Sequence, residues 1–260
     1  MDRIEAMRAF VTVVNEGAFT RAADRLEMSP QLAQQVLSDI DDMEGQTGAL
    51  QTQAQGQLRI SAPVSFAIRH MAPLLSEFQS AHPGVGIDLQ LNDRKVDVVE
   101  EGFDIVLRIG HLKSSSLIAK RIAPVRLLMC ASPAYLEQHG TPRHPEDLKD
   151  HRYLRYSYME QDTKQPVYRW LSNNQEGSMI SNNGDVLLEA AIAGAGIVLQ
   201  PTFISGSAIK EGKLQVILPE YEPEPMGLYA VYAHRQLLAS KVRSFIDFIE
   251  GFYGDPPYWD

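Results

Sequence analysis

The residues able to do covalent or metal chemistry are few and scattered. His70, His82, His111, His139, His144, His151 and His234 stand far apart, and none is spaced from another His, a Cys or a paired carboxylate as metal ligands are. No G-x-S-x-G elbow, phosphate-binding glycine loop or Cys–His signature is present. Gly194 to Gly196 read "GAG", too short for a dinucleotide fingerprint and suited to turning a helix into a strand. Cys130 lies in the apolar run "RLLMCAS", where a packed, inert thiol is expected. These patterns argue against an enzyme, with no cofactor and no metal, and leave recognition as the chemistry to explain.

Recognition of nucleic acid needs cations, and their distribution is uneven. The 260 residues carry a formal charge of −9, so any contact with phosphates must come from a local patch. From Glu27 to Leu58 there is no Lys or Arg, while Glu27, Asp39, Asp41, Asp42 and Glu44 are acidic. Phosphate neutralisation supplies most non-specific affinity, and Arg or Lys makes the commonest guanine contact. A DNA-reading helix of that composition is expected to bind weakly. Arg3, Arg8, Arg21 and Arg25 lie outside the stretch, where they can touch phosphates or simply be solvated.

A hydrophobic fraction of 44% with 22% charged residues is that of a globular chain, long enough for two or three modules. The charged N-terminus "MDRIEAMRAF" does not read as a signal peptide, one cysteine makes no internal disulfide, and no apolar run approaches the ~20 residues that span a bilayer. A cytoplasmic protein with no membrane contact is expected. Ile4, Met7, Phe10, Val11 and Val14 form a helical stripe over about residues 2–15, and Ala22, Ala23 and Leu26 continue the period. Ser29 and Pro30 then suit the cap and first turn of a third helix, so a helix-turn-helix is predicted.

From Gln57 strand and helix patterns alternate: "QLRISAP", "FAIRHMAPLLSEFQSAHP", "GVGIDLQLND", a short helix "KVDVVEEG" and a buried strand "FDIVLRIG". A second unit runs "VRLLMCAS", "PAYLEQHG", "RYLRYS", "GDVLLEAAIAGA", "GIVLQP" and "LQVIL". "GLYAVYA" and the amphipathic "SKVRSFIDFIEGFY" return to the first unit, with Val242, Phe245, Ile246 and Ile249 on one face. The pattern predicts an α/β fold with mainly parallel sheets covered by helices on both faces.

The N-terminal segment resembles the start of LysR-type transcriptional regulators through Phe10, Val13, Gly17, Phe19, Ala22, Ala23, Leu26 and Ser29, with Ala18 where that family usually has Ser. "LRISAPVSFA", "FDIVLRIG", "ASPAYL", "AGAGIVLQP" and "LYAVYAHR" resemble the family's effector domain in the same order. The resemblance implies a small winged helix-turn-helix module at 1–35, apparently truncated, and a linker helix at 36–56. It implies a bilobed effector-binding domain of the type 2 periplasmic-binding-protein fold at 57–254. Lobe I would comprise 57–124 and 228–254, and lobe II 125–227. A transport protein of this fold would need an export signal. Roughly thirty residues of the family pattern, including the basic wing, are missing after Gln35. Either the module is truly shortened, or segments flanking an absent stretch are joined.

The resemblance also implies function: DNA binding controlled by a small anionic or aromatic effector held between the lobes, in a homodimer or homotetramer. The alternative is an effector-binding, oligomerising module without autonomous DNA binding. Leu37, Ile40, Met43 and Leu50 can form a shortened seam between subunits, or pack within one. DNA contacts are expected from Arg21, Ser29, Pro30, Gln31 and Gln34. Effector contacts are expected from Pro63, Val64, Ser65, Phe66, Arg108, Gly110, His111, Asn183, Gly184, Pro201 and Phe203. Helix starts near Val64 and Gly184 offer unpaired N–H groups to a carboxylate. Ser65 adds a hydroxyl, Arg108 a charge and His111 a titratable donor, with Phe66 and Phe203 as apolar walls. Blander roles fit several of these: Ser65 or Asp185 as helix caps, and Arg108 in a salt bridge to Asp104 or Glu101.

Overall fold

Strand β1, Gly56–Ala62, is paired on both sides, which explains why its second half is buried without a break. A computed structural model describes the chain over residues 54–111, 117–158, 170–171, 179–233 and 239–260. The expected helix-turn-helix, linker seam and DNA contacts at Arg21, Ser29, Pro30, Gln31 and Gln34 lie outside these residues.

Two five-stranded sheets organise the described residues. The first contains β2 (Val85–Leu91), β1, β3 (Ile105–Gly110), β10 (Met226–Tyr232) and β4 (Ile118–Val125), in that order. The second contains β7 (Ile180–Ser181), β6 (Tyr153–Tyr156), β8 (Ile197–Pro201), β5 (Leu127–Ala131) and β9 (Gln215–Val216). Below, "lobe I" and "lobe II" denote these sheets with their helices.

The sheets are mixed, not mainly parallel as the alternation predicted. β1 runs parallel to β2 and β3, whereas β10 is antiparallel to β3 and β4. In lobe II, β6 is parallel to β7 and β8, and β5 is antiparallel to β8 and β9. The chain crosses between lobes at Arg126 and returns before Met226, so the strands at the crossings enter against the direction of those already in place.

After β1 comes one continuous helical segment of three parts: α1 (Val64–Phe66), a π-helical turn (Ala67–Met71) and α2 (Ala72–Ala81). Leu74 and Phe78, one turn apart, are buried. Phe78 meets Phe245 of α6 (Ser240–Ile249) edge to face, at 5.2 Å between ring centres. In lobe II, Ser132 and Pro133 open α3 (Pro133–His139), the Ser oxygen accepting from the Tyr135 N–H. α4 (Gly184–Ile192) leads through the turn at Gly194, φ 83°, into β8, as the "GAG" pattern predicted. α5 (Thr202–Lys210) follows β8 directly.

Two segments depart from expectation. "KVDVVEEG" forms turns ending at Gly102, φ 67°, rather than a helix. Its β-branched valines resist helix, and the Asp97 carboxylate accepts the N–H groups of Val99 and Glu100, tightening the chain locally. "LQVIL" is strand only at Gln215–Val216, with one further bond from the Ile217 N–H to the Met129 carbonyl of β5, because Leu218 turns left-handed, φ 50°, ahead of Pro219.

Candidate functional site

Lobe I offers the end of β1 and the start of α1. Pro63 is extended and Val64 begins the helix. The Val64 N–H donates to Asp93 Oδ1 at 2.9 Å, and Asn92, whose N–H binds the Ala62 carbonyl, holds Asp93 in place. The chain's own carboxylate thus occupies the helix start that the sequence reading assigned to a ligand. Burial raises the Asp93 pKa, the Val64 N–H opposes that rise, and the nearby Asp185 charge adds to it.

Lobe II offers α4. Its cap is Asn183, whose side chain accepts from the Val186 N–H at 3.1 Å. A Cβ on Gly184 would stand 2.7 Å from Ile204 Cδ1 of the same lobe, so the glycine suits the packing of α5 against α4, while Ser65 Oγ of lobe I, at 3.5 Å, would be in ordinary contact. The buried Gln200 side chain donates to the Gly184 carbonyl at 3.1 Å.

Asp185 is therefore not the cap. Its carboxylate reaches across to lobe I, accepting the Ser65 hydroxyl on Oδ2 at 2.6 Å and Arg69 Nη2 and Nε on Oδ1 at 2.6 and 3.0 Å. Ser65 is likewise no cap; its hydroxyl is half of this bridge. Arg69, not singled out from the sequence, is brought in by its position four residues after Ser65, which puts both on one helical face.

The other expected residues make no hydrogen bond to this bridge. Arg108 projects from β3 and makes a 3.4 Å contact with the Val96 carbonyl. Neither suggested salt bridge forms there: Arg94 holds Glu101, and Asp104 accepts the Arg59 N–H and faces Lys241. Gly110 closes β3, and His111 just beyond it is exposed. Phe66 and Phe203 do meet, edge to face at 5.4 Å, but as buried core rings rather than open walls. Pro201 is half-buried at the start of α5.

The rings closing over them come from residues 253–259. Phe66 lies 5.5 Å from Tyr253 and 5.8 Å from Trp259. His70 joins tail and lobes: Nε2 bonds to the Phe203 carbonyl at 2.9 Å and Nδ1 to the Tyr258 hydroxyl at 2.7 Å. A carbonyl only accepts, so Nε2 carries the proton and Nδ1 accepts from Tyr258. Burial pushes the His70 pKa down. Nothing in the sequence pattern tied this tail to His70, because hydrogen bonds across 188 residues leave no local signature.

Beside this cluster lies an open cavity of about 340 Å³, bordered by Arg69, Thr202, Phe203, Lys210, Tyr258 and Trp259. Among the described residues no group of His, Cys, Asp and Glu is arranged to hold a metal, and no helix is long and apolar enough to cross a membrane. Burial pushes the Cys130 thiol up to about 12, consistent with an inert packed cysteine.

The described residues thus form a two-sheet α/β domain whose two lobes meet through a polar bridge. Residues 51–253 match the LysR substrate binding domain family. An uncharacterized HTH-type transcriptional regulator of Haemophilus influenzae is 32% identical, the match covering 93% of this chain and 98% of the relative. The uncharacterized HTH-type regulator YhjC of Escherichia coli is 31% identical over 96% and 98%. The regulatory domain of CrgA, a LysR-type transcriptional regulator from Neisseria meningitidis, superposes with a TM-score of 0.64 at 28% identity, covering 75% of this chain and 97% of that one. The chain belongs to the LysR-type transcriptional regulators. The alignment to the Haemophilus protein runs to 286 positions against 260 residues here, so that relative has residues with no counterpart in this chain.

Proposed function

We propose that this regulator, a non-catalytic cytoplasmic protein, takes a small anionic or aromatic effector between its lobes at the place now filled by the Asp185 carboxylate. The carrying observation is the convergence of the Ser65 hydroxyl and the Arg69 guanidinium on one carboxylate from the opposite lobe. A serine hydroxyl beside an arginine is a receptor for a carboxylate, and Asp185 is its intramolecular occupant. An effector carboxylate that displaces Asp185 leaves that side chain facing Asp93, whose pKa already registers its charge. Repulsion between them then favours another lobe arrangement. A ligand shifts such an equilibrium only by its differential affinity for the two arrangements. In a dimer or tetramer the shift changes the spacing of the DNA-reading modules.

A panel of small carboxylates screened by thermal shift tests the reading. Ligands that stabilise the protein are expected to lose that effect in Ser65→Ala and Arg69→Ala; equal stabilisation of both variants refutes the assignment.

A second reading is favoured by the absence of Lys and Arg from Glu27 to Leu58: an effector-binding, oligomerising protein without autonomous DNA binding. Salt-dependent retention on heparin or operator DNA is expected of the first reading and not of the second.

A further inference from the structure

After α6 the chain continues as a series of turns over residues 251–259. The described main-chain hydrogen bonds of this segment close on itself or on the end of α6: the N–H groups of Phe252, Gly254, Tyr258 and Asp260 donate to the carbonyls of Ile249, Gly251, Tyr253 and Pro257. It adds no strand to either sheet and is held to the lobes through side chains. Lifting it away breaks no strand ladder, which is the character of a segment that opens locally.

Its attachments go to both lobes. Tyr253, 2% exposed, rests edge to face on Phe66 of lobe I. The Trp259 indole stands 5.8 Å from Phe66 and 4.8 Å from His70 of lobe I, and 6.4 Å from Phe203 of lobe II. A Cβ on Gly206 of α5 would lie 2.8 Å from the Trp259 carbonyl oxygen, so a glycine there lets the segment dock against lobe II. Docking also has a cost: the Trp259 Nε1–H is buried without a partner, and release would return it to water.

The same turn of lobe I serves the interlobe bridge. Ser65 and Arg69 reach Asp185 on α4, while Phe66 and His70, each one residue further on, meet α5 and the segment. Lobe II therefore grips this turn through both α4 and α5. The chain crosses between the lobes at Arg126 and again before Met226, and Arg126 clasps Glu222 of the returning segment through bonds of 2.8 and 2.9 Å. A change of lobe arrangement about these crossings has to part both grips.

We infer that residues 253–259 form a strap, a releasable latch that holds the two lobes in this arrangement in parallel with the Asp185 bridge. Its contacts are all within the chain, so it acts whatever ligand lies between the lobes.

The test is the distance between lobes in the full chain, read by double electron–electron resonance. Spin labels go on Gln79→Cys of α2 and Gln138→Cys of α3, both exposed, while Cys130 is buried. Labelled protein is diluted into unlabelled protein so that only distances within one chain are read. Trp259→Ala, which removes the ring contacts to both lobes, should raise the share of a second distance about tenfold. Gly206→Ala should populate the same second distance, because its Cβ displaces the strap, even though alanine favours the helix. Val106→Ala, in a core cluster that holds no strap residue, should keep the parent distribution. Parent distributions in both Trp259→Ala and Gly206→Ala, with native circular dichroism spectra, overturn the strap. An equal second distance in Val106→Ala overturns it too, by making the opening a general loosening. If Trp259→Ala does not fold, Gly206→Ala decides alone.

Discussion

The Ser65 hydroxyl of lobe I donates to the Asp185 carboxylate of lobe II at 2.6 Å, and Arg69, one helical turn on, holds the other oxygen of that carboxylate. The bridge is partly solvated, the Arg69 and Asp185 side chains being 29% and 30% exposed, so its worth is modest. Asp185→Asn keeps an acceptor for Ser65 and removes the charge that Arg69 needs. A loss of about 1 kcal/mol is expected, which for a domain of this size lowers Tm by roughly 2–4 °C. Small-angle scattering should show a larger radius of gyration as the lobes part. An unchanged Tm together with an unchanged radius would mean that the bridge does not restrain the lobes.

Acid should weaken the tail. The His70 pKa is depressed by burial, so the folded state binds its proton less readily than the unfolded chain, whose value is 6.5. Stability from this group is complete above pH 6.5 and falls as pH drops from there toward the depressed folded value. The Tyr258 oxygen can accept from a protonated ring, so the cost lies in burying the charge rather than in losing that bond. His151 shifts in the same direction, mainly by burial, with the His139 charge adding to it. Tm measured from pH 7.5 to 5.5 should therefore decline below about 6.5, and the decline should be shallower, not absent, in His70→Gln. A slope identical in that variant would assign the whole effect to other groups.

Much of the lobe architecture was legible because buried strands and amphipathic helices leave periodic marks, as Leu74 and Phe78 do on α2. What escaped was either locally unmarked or locally misleading. β4 is an edge strand in which Lys120, Arg121 and Pro124 interrupt the apolar pattern, features an edge tolerates and a central strand does not. Ser65 stood out as a site residue, but its partner on the opposite lobe, Asp185, looked like a cap. A first-turn carboxylate can serve its own helix or reach elsewhere, and only the tertiary approach of Ser65 and Arg69 selects the second.

Asp93 is strained in the opposite electrostatic sense to His70. Its folded pKa lies above the unfolded 3.8, because burial and the Asp185 charge both disfavour ionisation. Its favourable contribution is complete below pH 3.8 and is lost as pH rises through the folded value, so the ionised group is a burden at neutrality. Asp93→Asn keeps an oxygen for the Val64 N–H. At pH 7 the variant is expected to be at least as stable as the parent in urea denaturation, with the advantage shrinking at lower pH. A clear loss of stability at pH 7 would show that the charge at the start of α1 outweighs its burial.

A charge lies inside the apolar face of α6. Lys241 follows the first residue of α6 and its side chain is 1% exposed, with Nζ 2.8 Å from the Gln57 carbonyl and 3.4 Å from Asp104 Oδ2, itself on a 4% exposed side chain. Two charges this deep stabilise little as a pair, yet removing one strands the other. Lys241→Ala is expected to cost about 3–5 kcal/mol. Lys241→Met retains the apolar stem, so packing alone would make it mild, whereas stranding the Asp104 charge makes it nearly as costly as alanine. Adding Asp104→Asn to Lys241→Met should then recover much of the loss, because the amide oxygen still accepts the Arg59 N–H without a buried charge. A mild Lys241→Met with no recovery in the double variant would instead make the stem, and not the ammonium, the reason for a lysine at this position.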